Sequence, residues 1–223
     1  MDFIYSFGLV AEGSSDHSVL KNILIGLFGN DVFEEITELQ PDFGASNNEP
    51  AKEFGGWYNV FQYYRSQDFV KAFDDIQYLV IQIDTDVSEH THYEVKQTDE
   101  SGKKLIPEVL VQRIREKFEQ IITDEFGQIF LEKYQDRILF AISVDEIECW
   151  LLPLFYTDNT KSKTNNCDFK LHEKAGRFEK KSIDYDKISR EYRKNKTLMN
   201  VYLENPSLKI FVESVLSKNI ILK

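Results

Sequence analysis

Cysteine is scarce in this sequence: two residues, Cys149 and Cys167, in a chain of 223. They stand far apart and show no metal-ligand spacing, so the sequence predicts a reduced, cytoplasmic protein. Long apolar runs are missing as well. No segment approaches the length of a membrane span, which excludes a membrane as partner at this level. The N-terminus, MDFIYSFGLVAEG, carries an acidic residue where a signal peptide needs a basic one. It also lacks a small-residue cleavage site, so no export signal is expected. The chain has no G-x-x-x-x-G-K-[ST] loop, and any dependence on ATP must come from another polypeptide. Internal repeats and low-complexity tracts are absent too.

What is present is a globular composition, 42% hydrophobic and 13% aromatic, long enough for one good-sized core. The net charge of −11 conceals an asymmetry. Residues 161–223 hold 15 Lys and Arg against 8 Asp and Glu, whereas residues 1–160 hold 12 against 30. An acidic body joined to a basic C-terminal quarter can hold metal ions at one end and a polyanion at the other.

Apolar patterning predicts strands at FIYSFGLV, EEITELQ, IQYLVIQID and RILFAIS. Helices are expected over SSDHSVLKNILIGLFG, with Ser14, Ser15 or Asp16 as N-cap, and over WYNVFQYYRSQDFVKAFDD. A long helix is expected over IPEVLVQRIREKFEQIITDEFGQIFLEKY, and a further one starts at VDEIECWLLPLF. NNEPAKEFGGW, residues 87–104 and the loosely patterned 157–181 read as loops. DYDKISREYRKNKTLMNVYLENPSLKIFVESVL reads as two helices split at Pro206. Alternating strands and helices imply an α/β sandwich with a central, mainly parallel sheet and helices on both faces. The expected organisation is an α/β core over residues 1–156 and a basic, mostly helical region, 157–223, packed on it.

In open α/β sheets, sites form at the carboxyl ends of the strands. Glu12 follows the first strand, Asp84 and Asp86 follow IQYLVIQI, and Ser143, Asp145, Glu146 and Glu148 follow RILFAIS. Like charges held this close repel, and the repulsion raises a pKa unless a cation sits between them. Oxygen-only ligands suit Mg2+ or Mn2+, which support phosphodiester cleavage as a pair of ions. His90 and His92 read as solvated, Cys149 as packed core, and the aromatics of WYNVFQYY as core.

VAEGSSD, IQIDTD, ISVDEIECWLL and ENPSLKIFVESVL, in that order, resemble the landmarks of the TOPRIM-like family of small bacterial proteins. These are relatives of the nuclease domain of OLD (overcoming lysogenization defect) proteins, and the likeness spans most of the chain. It implies a TOPRIM-like fold and a metal-dependent nuclease acting on nucleic acid, DNA foremost, in phage defence. By that resemblance Glu12 is a metal ligand or general base. Asp16, Asp84, Asp86, Ser143 and Glu148 complete the metal site, with Asp84 also catalytic. A late lysine opposite the scissile phosphate is matched by Lys196 or Lys194, and Arg190, Arg193, Lys194 and Lys196 are the expected nucleic-acid contacts. Such relatives are often encoded beside an ATPase partner, and a homodimer is open. Two other readings compete. One is a catalytically silent TOPRIM-like subunit that regulates an ATPase. The other is another enzyme class, because DTDVS fits the opening of HAD-like phosphatases and an apolar strand ending in DxD resembles nucleotide-sugar glycosyltransferases.

Overall fold

The structure is a computed structural model and describes residues 4–41 and 56–222. Four strands, β1 (Tyr5–Val10), β2 (Ile36–Gln40), β3 (Ile76–Asp84) and β4 (Ile138–Ser143), form one all-parallel sheet in the order β2-β1-β3-β4. Parallel neighbours cannot be joined by tight turns, so the connections cross the sheet and carry helices. The period-two alternation of each strand divides its side chains between two cores. Phe7, Leu9, Val80, Leu139 and Ala141 lie in one core, and Leu79, Ile81, Ile83, Ile138 and Ile142 in the other.

The first core is closed by α1 (Ser14–Phe28) through Val19, Leu20, Ile23 and Leu24. The C-terminal helices α8 (Ser182–Ser189), α9 (Asn195–Val201) and α10 (Pro206–Ser217) join it through Tyr185, Leu198, Leu208, Phe211 and Val215. The second core is closed by α2 (Gly56–Tyr64), α3 (Gln67–Asp75), α4 (Pro107–Phe126) and α5 (Gln128–Tyr134). Its centre is aromatic: Phe118 lies 5.0 Å from the Phe61 ring and 4.6 Å from that of Tyr64. Residues of the 157–222 region therefore complete a core shared with the sheet.

Several element boundaries differ from those expected. The helix over 57–75 is two helices, because the Ser66 hydroxyl accepts the Phe69 N–H (3.3 Å) and starts α3 afresh. The helix over 107–134 breaks at Gly127, whose φ of 87° suits glycine. The helix expected over 144–155 shrinks to α6 (Glu148–Leu151), followed by a single 3-10 turn. Residues 157–181 contain α7 (Cys167–Ala175), and the two expected C-terminal helices are three, with Pro206 opening the last. Segment 87–104 is a series of turns that nevertheless buries Ser88, Tyr93 and Val95. Most of the loop NNEPAKEFGGW lies outside the described residues.

The cysteines require a correction. Cys149 on α6 and Cys167 at the start of α7 form a disulfide, their Cα atoms 4.9 Å apart across 18 residues of chain. Both are fully buried, and the pairing comes from the packing of α7 on α6. Cysteine usage thus no longer argues for a reducing compartment. Among the described residues, no helix is long and apolar enough to cross a membrane.

Candidate active site

The chain leaves β1 for β2 on one side of the sheet and returns to β3 on the other. The switch point between β1 and β3 is where open α/β sheets form a crevice. Glu12 follows β1, Asp84 ends β3, and Ser143 ends β4 in register with Asp84. Gln82, fully buried, links the first two. Its Oε1 accepts the Glu12 N–H (3.2 Å) and its Nε2 donates to Asp84 Oδ1 (2.8 Å). The Glu12 carboxylate accepts the Asp84 N–H (2.7 Å) and the N–H of Trp57 in the first turn of α2. Gly56 allows that approach, since a Cβ there would stand 2.4 Å from the Glu12 carbonyl oxygen.

Asp16 reaches the same crevice from α1. The N-cap is Gly13 rather than Ser14, Ser15 or Asp16, and the buried Asp16 carboxylate accepts the Gly13 N–H (2.8 Å). Asp86 stands at the exposed rim. The DTD turn is held against the end of β4 by Asp145, a left-handed residue with φ of 70°. Its carbonyl accepts the N–H groups of Thr85 and Asp86 (3.0 Å each), and its own N–H donates to Thr85 Oγ1 (2.8 Å). Glu148 is buried at the start of α6. Its Oε1 accepts from the Tyr185 hydroxyl and lies 3.2 Å from Lys180 Nζ, which is 3.6 Å from Glu146 Oε2. Glu148 Oε2 and Ser143 Oγ are buried with no hydrogen-bond partner.

These acids feel one another. Loss of water, then the charges of Asp16 and Asp86, push Glu12 up to about 8, against the pull of its two N–H donors. Asp16 rises to about 7 through burial and then Glu148, and Glu146 reaches about 7 for the same two reasons. Asp84 lies well above the usual carboxylate range, by burial first and then by Glu12, Asp16, Glu148 and Asp86. Asp86 and Asp145 are also raised, chiefly by burial. For Lys180, burial opposes the ammonium, but Glu148 and Glu146 outweigh it and hold the charge.

The donor chemistry fits a hard cation: carboxylates, a serine hydroxyl and no nitrogen or thiolate. Two of those oxygens are buried and unpartnered, which is costly unless something else satisfies them. Spacing limits how an ion is held. Among the described residues, the one group of three whose donor atoms lie within 4.8 Å of one another is Asp145, Cys149 and Cys167. Its sulfurs are bonded to each other and are not available. No three of the crevice acids form such a compact set.

The expected basic contacts lie elsewhere. Arg190 and Arg193 both pair with Asp186, Arg193 also donates to Asn22 Oδ1, and Lys194 pairs with Glu191 at 2.7 Å. Lys196 is on α9, where Asn195 donates to the Gly26 carbonyl (2.8 Å). Gly26 is about 15 Å along α1 from Asp16, by the rise per residue of a helix. The structure brings none of the four to the carboxylates, whereas Lys180 reaches Glu148 and Glu146. That lysine sits in FEKK, a stretch without helical periodicity, and nothing in the sequence separates it from its neighbours. Tyr185 and Gln82 were likewise missed, although a glutamine inside LVIQI was a visible anomaly. His90 and His92 are exposed, their rings 5.0 Å from Trp57 and 6.1 Å from Tyr58 respectively. No family model, curated protein or solved structure matches the chain.

Proposed function

We propose that this protein is a divalent-metal-dependent phosphodiesterase that cleaves nucleic acid, DNA foremost, with Mg2+ or Mn2+ at the ends of β1, β3 and β4. The observation that carries the reading is the crowding of Glu12, Asp16, Asp84, Asp86 and Glu148 at one switch point, with Glu148 Oε2 and Ser143 Oγ left unpartnered. Glu12, Asp84, Asp86 and Glu148 would hold the metal, with Asp16 and Ser143 beside them. Bound there, such ions supply an activated water and stabilise the leaving oxygen. With a cation bound to favour its carboxylate form, Glu12 would act as a metal ligand or as the base that accepts the proton of the attacking water. Lys180 holds a positive charge beside Glu148, where a substrate phosphate would lie, and Tyr185 orients Glu148. The order of these acids along a parallel sheet supports a TOPRIM-like relationship. A HAD-like phosphatase is disfavoured, because two strands precede β3 and that chemistry leaves Glu12 and Glu148 without a task.

One observation favours a second reading, a catalytically silent subunit that regulates an ATPase partner: no three of the crevice acids lie within 4.8 Å of one another. The test incubates the protein with supercoiled plasmid and with linear RNA, in Mg2+, Mn2+ or chelator. Cleavage should require metal and fall by orders of magnitude in Asp84→Asn, which should also gain less thermal stability from Mn2+. Metal-dependent stabilisation without cleavage supports the silent subunit. Undiminished metal-dependent cleavage by Asp84→Asn removes Asp84 from the mechanism.

A further inference from the structure

Beside the acidic crevice lies an open cleft of about 790 Å³, lined by His172, Arg177, Phe178, Glu179, Lys181, Ile183 and Asp184. We propose that this cleft binds an unpaired nucleobase of a single-stranded nucleic acid whose backbone runs past Lys180 into the crevice. The inference rests on the phosphodiesterase reading and adds what that site takes: a strand with its bases free.

Three observations carry it. The first is size, since the cleft falls within the roughly 300–1,000 Å³ of sites that take compact organic ligands. The second is its wall. His172 and Phe178 are stacked with centroids 4.0 Å apart and planes 14° from parallel, and Ile183 beside them is 62% exposed. His172 is held in place by the Gly176 carbonyl (3.1 Å) and by Asp168 (3.5 Å), so the stacked pair is preorganised. A flat apolar surface of this kind suits a base of any identity, because every base has a π-face. In a duplex that face is already covered by its neighbours, so the wall selects unpaired strands.

The third observation is charge and continuity. Of the lining acids, Glu179 is paired with Lys181 and Asp184 with Lys187 (3.7 Å). Among the described residues no carboxylate pairs with Arg177, which leaves a guanidinium for a phosphate. Lys180, between two lining residues, reaches Glu148 at 3.2 Å. Phe178 packs edge-on against Tyr185 at 5.6 Å, and Tyr185 donates to Glu148. Tyr185 and Lys180 therefore connect the cleft to the crevice.

The experiment measures binding of labelled oligothymidylate, an abasic strand of equal length and the corresponding duplex, with Ca2+ in place of Mg2+. The parent should bind oligothymidylate at least about five-fold more tightly than the abasic strand, and more tightly than the duplex. Phe178→Ala and Ile183→Ser should abolish the preference for bases while sparing abasic binding. Arg177→Gln should weaken both strands alike and reduce the salt dependence by about one counterion. Should Phe178→Ala disturb folding through Tyr185, the exposed Ile183→Ser still decides the matter. Equal binding of the thymidylate and abasic strands, tighter binding of duplex, or no binding at all overturns the cleft. Cleavage by the same protein preparations is scored separately, in Mg2+ or Mn2+. Cleavage without base preference sinks the cleft alone, and base preference without cleavage sinks the phosphodiesterase reading alone.

Discussion

At the scale of single residues, Gln82 shows what positioning requires. Its amide lies inside a strand covered on both faces and joins the Glu12 backbone to the Asp84 carboxylate. Gln82→Leu fills the space but leaves the Glu12 N–H without its partner, so it should cost about 1–3 kcal/mol in urea denaturation. It should also reduce the stabilisation by Mn2+; an unchanged metal response would show that Asp84 needs no such support. The pH response has a defined sign. Glu12 is raised from 4.5 to about 8 and Asp16 from 3.8 to about 7, so between those limits the folded state binds more protons than the unfolded. Metal-free stability should therefore fall as pH rises from about 5 to 8.5. Glu38 acts oppositely, lowered to about 2 by the His17 ring 3.4 Å away and then by Lys21. Its contribution is present above 4.5 and is lost as pH falls toward 2. Urea midpoints in chelator across this range test both limbs, and saturating Mn2+ should flatten the alkaline one, since a cation favours the carboxylates.

At the scale of elements, α6 is too short to be stable alone and is held by what it touches. Glu148, Cys149 and Trp150 are buried in sequence along it, and the disulfide to Cys167 fastens α7 to it. The Asp168 N–H donates to Glu146 Oε1 (2.8 Å), a second tie between the same segments. Closing a loop across 18 residues should contribute about 3 kcal/mol through the unfolded chain. Cys149→Ser combined with Cys167→Ser should lose about that much, and thiol alkylation before and after reduction should find two cysteines protected only in the parent. Full alkylation of the unreduced parent would mean the bond is absent. How far the elements could be read from the sequence depended on where their signal lay. The strands β1, β3 and β4 showed as apolar runs, whereas the breaks at Ser66 and Gly127 sit inside continuous helical periodicity, where pattern alone cannot see a cap.

At the scale of the whole molecule, the division at 156/157 crosses one apolar core. Val80 and Leu139 of the sheet share it with Tyr185, Tyr192, Leu208, Phe211 and Val215. A chain ending at Tyr156 should leave that face of the sheet bare. It should lose cooperative unfolding in calorimetry and bind hydrophobic dyes. A sharp, reversible transition in the shortened chain would establish residues 1–156 as a domain. The basic quarter is integral for the same reason, and much of its charge is paired internally, as Arg190 and Arg193 are with Asp186.

The sequence by itself determined the α/β class, the parallel character of the sheet and the acids at its strand ends. These are local properties, written in apolar runs, in period-two and helical spacing, and in where the runs stop. Tertiary structure decided which distant groups meet. Lys180 rather than Lys196 stands beside Glu148, Tyr185 donates to that same carboxylate, and Cys149 closes on Cys167. Each of these contacts joins residues from separate elements. It depends on how α7 packs on α6 and α8 on α1, and that packing is set by the whole apolar core rather than by any stretch of residues short enough to read.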